Sequence, residues 1–205
     1  MSTLAHTQGH TDDKVTFGFW VYLMSDCVLF ATLFATFAVL RGATFGGPTS
    51  AELFSLPFVL VETIILLTSS FTVGLAVYFA AKSDKSQRSR PLGQALQTLI
   101  ALAATLVLGL LFLGMEVYEF AHLVAEGHGP SANAFLSAFF TLVGTHGLHV
   151  FFGALWMVVV MVHIVRAGLV PGTVRKLACL ALFWHFLDVI WIFIFTFVYL
   201  FGAII

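Results

Sequence analysis

Residues 92–115 read LGQALQTLIALAATLVLGLLFLGM, a run without one Asp, Glu, Lys or Arg. An α-helix rises about 1.5 Å per residue and the hydrocarbon core of a bilayer is about 30 Å thick, so about 20 apolar residues cross it. This run is long enough, and the same test applied outward finds four more. One runs from Phe17 to Leu40 between Lys14 and Arg41, interrupted by Asp26. The next runs from Pro57 to Ala81 before Lys82, interrupted by Glu62. Two further spans cover about 132–165 and about 177–203. The composition agrees: 60% of the 205 residues are hydrophobic and 9% charged, against about 25% charged in a soluble domain. The expected fold is therefore all-α, a bundle of five transmembrane helices over 17–205 behind a polar, disordered segment 1–16.

The run 92–115 is expected to continue to about residue 126 as a polar helical extension through Glu116, Glu119 and His122, stopped by Gly127 to Pro130. Short loops rich in Lys and Arg stay on the cytoplasmic side. Lys14, Lys82, Lys85, Arg88, Arg90, Arg166, Arg175 and Lys176 fall on one side, eight in all, and Arg41 alone on the other. The N-terminus is expected in the cytoplasm and the C-terminus in the periplasm, with no cleavable leader before the first span. A formal net charge of -1 leaves no basic surplus for nucleic acid. Cys27 and Cys179 match no metal spacing and read as buried hydrophobes.

An ionisable residue in the bilayer centre costs about 2.5 to 3.5 kcal/mol on the insertion scale, so each needs a partner or a purpose. Counting from the helix ends, Asp26 and Asp188 lie roughly 15 Å above the cytoplasmic edge and His185 roughly 10 Å. Glu62 and His149 lie roughly 20 Å above it, with His146 one turn higher. The depths predict that Asp26 pairs with the fifth helix and Glu62 with the fourth. One reading makes these groups hydrogen-bonded links between helices; the other makes them a proton-responsive or lipid-gated site. Trp20, Trp184 and Tyr199 read as interfacial anchors, and Ser70 with Gly74 as a small-residue pair that admits a neighbouring helix. His146 and His149 are too close to serve two stacked haems, and His149 with His185 would have to span about 10 Å of depth. No catalytic residue, metal ligand or cofactor is expected in the chain itself.

From the fourth span onward the motifs become specific. His146-Gly147-Leu148-His149-Val150 and Trp184-His185-Phe186-Leu187-Asp188-Val189-Ile190-Trp191 resemble the two signatures of subunit III of the haem-copper terminal oxidases. Glu116, Tyr118 and Glu119 resemble that family's acidic and aromatic stretch. The segments from Gly18 to Asp26 and from Leu56 to Thr63 resemble its bo-type ubiquinol oxidase branch, as do five helices in place of seven. The resemblance runs from about Phe17 to Tyr199. It implies a non-redox accessory subunit in a bacterial inner membrane, packed on a catalytic subunit I that holds two haems and a copper. It also implies bound phospholipid, and a role in assembly and sustained proton-pumping turnover while the complex oxidises ubiquinol and reduces oxygen to water. The alternative is a small proton-linked channel or carrier that uses Asp26, Glu62 and Asp188 as its relay.

Overall fold

The computed structural model describes residues 2–44, 46, 55–85 and 91–204, with side chains from residue 16 onward except at 83–85, 91–92 and 203–204, and every regular element among them is helical. Helix α1 is Ser2–Leu40, α2 Leu56–Lys85, α3 Pro91–Ala125, α4 Ala134–Ala167 and α5 Pro171–Ile194. The chain continues from α5 through one π-helical turn, Phe195–Leu200, into a last turn α6, Phe201–Ile204. Five of these helices are long and apolar enough to cross a membrane. The side chains of His6 and His10 in the polar N-terminal segment lie outside the described residues.

Local chemistry sets the ends. The backbone of α1 is helical from Ser2, where the sequence suggested a disordered segment up to residue 16. Extending a helix already nucleated by a span needs only one residue fixed per hydrogen bond gained. Helix α3 stops where Gly127 takes a φ of +85°, and His128 N–H donates to Leu123 O at 2.9 Å, the pattern of a helix closed by a left-handed glycine. Asn133 caps α4 by accepting from Leu136 N–H at 2.8 Å. Gly168, with a φ of +75°, ends α4, and Pro171 opens α5 in its first turn. Helix α5 therefore begins about six residues before the apolar run does. Arg175 and Lys176 lie inside it, because a helix can project beyond the stretch that counts as hydrophobic.

Helices α2, α3, α4 and α5 close a ring in which each packs on two neighbours, and α1 lies outside it against α4 and α5. Helices α4 and α5 each touch three others, α5 meeting α1, α2 and α4. In the most apolar window of each span, 56% of α5 is buried against 22% of α1, which places the core around α5. Its π turn packs against α2 and brings two consecutive residues, Val198 and Tyr199, inward, as a widened turn permits.

Candidate functional site

The polar residues sit in four groups along the bundle. The first fills the ring. Trp184 Nε1–H of α5 donates to Ser69 Oγ of α2 at 2.9 Å, and Trp191 Nε1–H donates to Thr63 Oγ1 at 3.0 Å. Both indoles are buried, so each would leave an unpaired donor in an apolar interior without its hydroxyl partner. Gly109 of α3 permits the first to seat, since a Cβ there would lie 2.8 Å from the Trp184 ring. Phe112 meets Trp191 edge-on with centroids 4.6 Å apart. His146 lies tilted against the same indole at 5.1 Å and edge-on to Phe112 at 5.8 Å, its Nε2 3.2 Å from Leu187 O. Trp184 and Tyr199 are thus core residues and not interfacial anchors; of the three expected anchors, only Trp20 is exposed. Counting from the last charge before the span put Trp184 too near an end that lies in fact at Pro171.

The second group is acidic. Glu116 and Glu119 of α3 are buried, and Tyr199 O–H donates to Glu119 Oε2 at 3.0 Å. The Glu116 carboxyl lies against Gly147 of α4. Glu62 of α2 is fully buried with neither oxygen hydrogen-bonded, and its electrostatic neighbours are Glu119 and Glu116. The expected pairing of Glu62 with the fourth helix is therefore wrong: it faces α3. The helix does extend through Glu116 and Glu119 to Ala125 as expected, and both side chains turn inward. Phe112, Glu116, Glu119 and Leu123 recur at spacings of four, three and four on one face, and all are buried. That spacing was the available signal that these acids point inward.

The third group corrects another expectation. Asp26 of α1 lies 3.8 Å from His149 Nε2 of α4, and not against an ionisable group of α5. His149 Nδ1 lies 2.8 Å from Thr145 O, and Phe30 packs on the ring at 5.2 Å. The two residues were placed about 5 Å apart in depth, which is one helical turn and within the error of counting from imprecise ends. His146 and His149 therefore serve different interfaces, the first inside the ring and the second toward α1.

The fourth group lies on the open face between α1 and α2. His185 Nδ1 of α5 is 2.6 Å from Ser70 Oγ of α2 and 3.9 Å from Asp188 Oδ2. Asp188 is 5% exposed with no hydrogen bond to either oxygen, whereas 47% of the His185 side chain is exposed. Ser70 and Gly74 border an open groove, so the small pair marks a gap and not a close helix approach. Among the described residues no three His, Cys, Asp or Glu side chains converge as metal ligands would.

The chain matches, over residues 2–203, the family model described as cytochrome c oxidase subunit III. It is 53% identical to the cytochrome bo(3) ubiquinol oxidase subunit 3 of Pseudomonas aeruginosa, covering 98% of this chain and 94% of that one. The cytochrome bo(3) ubiquinol oxidase subunit 3 of Buchnera aphidicola is 41% identical, over 99% and 97% of the two chains. The cytochrome c oxidase subunit 3 of Bacillus sp. strain PS3 is 45% identical, over 91% and 86%.

Proposed function

The chain belongs to the cytochrome c oxidase subunit III family, and from that premise we propose that it is the accessory subunit of a bacterial bo-type ubiquinol oxidase. The carrying observation is the 53% identity to a cytochrome bo(3) ubiquinol oxidase subunit 3 over 98% of the chain. In this reading the haems and copper reside in the catalytic subunit, which oxidises ubiquinol and reduces oxygen. This multi-pass chain packs on that subunit in the inner membrane, holds phospholipid, and sustains assembly and proton-pumping turnover. The excess of Lys and Arg in the loops on one side supports a cytoplasmic N-terminus and a periplasmic C-terminus. Asp26, Glu62, His146, His149, His185 and Asp188 serve as polar links and packing groups between helices. A ring interior filled by Trp184, Phe112, His146 and Trp191 suits a packing element better than a carrier.

The test is to tag the chain, extract it gently from its native membrane, and record visible spectrum and subunit masses before and after stripping its partners. Haem and copper that arrive with larger subunits and leave with them support the reading. A colourless chain that emerges alone and transports protons when reconstituted would overturn it in favour of the carrier.

A further inference from the structure

His185 stands midway along its membrane-spanning helix. It is the fifteenth residue of the span Pro171–Leu200, about 21 Å along that helix, and its partner Ser70 is the fifteenth of the span Leu56–Lys82. The imidazole borders two grooves on the open face of α5. One, of about 390 Å³, runs between α1 and α5 past Trp20, Met24, Cys27, Phe186 and Val189. The other, of about 440 Å³, runs between α2 and α5 past Ser70, Phe71 and Gly74. His185 Nδ1 is engaged by Ser70, while Nε2 has no hydrogen bond to any described residue. A half-exposed imidazole with a free nitrogen at this depth faces a medium that offers it no partner.

We propose that His185 and Ser70 form a docking site in the bilayer midplane for the ring of a polyprenyl benzoquinone, with the grooves beside α5 taking the ring and the first isoprene units. Depth and charge select this class. Phospholipid headgroups sit at the edge of the hydrocarbon core, about 15 Å from the midplane, and no Lys or Arg lines either groove to hold a phosphate there. A quinone is neutral, lipid-soluble and carries its polar atoms on a flat ring. Each groove is open on its outer side, and its volume falls within the range of about 300 to 1,000 Å³ typical of small-ligand clefts.

The Ser70 contact lets one imidazole serve both oxidation states. With Ser70 O–H donating to Nδ1, Nε2–H donates to a quinone carbonyl. With Nδ1–H donating to Ser70, Nε2 accepts from a quinol hydroxyl. No electron transfer is assigned to this site. The choice of a quinone ring rests on reading the chain as part of a ubiquinol oxidase; the depth and the free nitrogen do not.

The test uses the intact tagged complex, illuminated with an azido-ubiquinone analogue carrying a decyl tail, then digested for mass spectrometry. The expected adducts fall within 20–27, 67–75 or 182–189 of this chain. They should decrease at least fivefold with excess decylubiquinone and stay unchanged with equal excess phosphatidylethanolamine. His185→Leu should reduce them at least fivefold in complexes with normal haem spectrum and subunit content, and His185→Gln, which keeps a donor and an acceptor, should restore part of the labelling. Competition in the unsubstituted complex decides the matter even if a variant fails to assemble. Adducts confined to the catalytic subunit would overturn the site, whether the grooves are empty or covered by a partner helix, and leave the accessory role standing. Adducts displaced equally by phosphatidylethanolamine would reduce the site to an acyl-chain groove. A tagged preparation without quinol oxidase activity or an adduct on any subunit would sink the accessory reading itself.

Discussion

The carboxyl of Glu116 on α3 occupies the space that a Cβ would fill at Gly147 on α4. A buried acid is thereby seated against the one residue type that leaves room for it, inside the very motif His146-Gly147-Leu148-His149 that stood out in the sequence.

Gly147→Ala should therefore destabilise the bundle by about 1 to 3 kcal/mol, because the added methyl displaces the carboxyl into packed surroundings. Gly144→Ala, one turn away, is the control: its Cβ would meet only Phe120 at an ordinary 3.6 Å. Thermal unfolding of the detergent-solubilised complex, followed through retention of this chain, should show a lowered midpoint for the first and an unchanged one for the second.

Gly109→Ala should behave like Gly147→Ala, since its methyl would strike the buried Trp184 ring. Trp184→Phe, harmful alone through the loss of packing and of the bond to Ser69, should recover part of that penalty when combined with Gly109→Ala. Strictly additive midpoint shifts would show that the two residues do not meet.

Asp26→Asn and His149→Ala should couple by at most about 0.6 kcal/mol, the average for hydrogen-bonded pairs between membrane helices, since their 3.8 Å contact is longer than a hydrogen bond. Asp26→Asn with Asp188→Asn should instead be additive, because Asp26 meets α4 and not the acid of α5. A double-mutant cycle on thermal stability reads both. Coupling to Asp188 in place of His149 would restore the pairing that depth alone suggested.

Tyr199→Phe should cost about 1 to 3 kcal/mol by leaving Glu119 Oε2 without its buried donor. Glu62→Gln should be neutral or stabilising, since it removes a carboxyl that has no hydrogen bond and faces two other acids. A clear loss of stability on Glu62→Gln would reveal a cationic or donor partner that this arrangement does not provide.

The number and type of helices were legible in the chain itself because crossing a bilayer is a one-dimensional requirement: enough consecutive apolar residues, few charges, and glycine, proline or asparagine at the ends. Runs such as 92–115 satisfy it without reference to any neighbour. The motifs around His146 and Trp184 were equally visible, and they pointed to the family that the full-length comparison then showed. Which polar residues meet was decided only by the packed bundle. Partners across helices depend on rotation about each axis and on depth to within a single 5.4 Å turn, and span ends read from charge are uncertain by more than that. Hence Asp26 met α4, Glu62 turned toward the acids of α3, Glu116 and Glu119 turned inward, and the expected anchors Trp184 and Tyr199 lie in the core. The open face of α5 likewise arises from α1 packing on α4 and α5 without closing against α2, a choice among neighbours that no single helix's sequence contains.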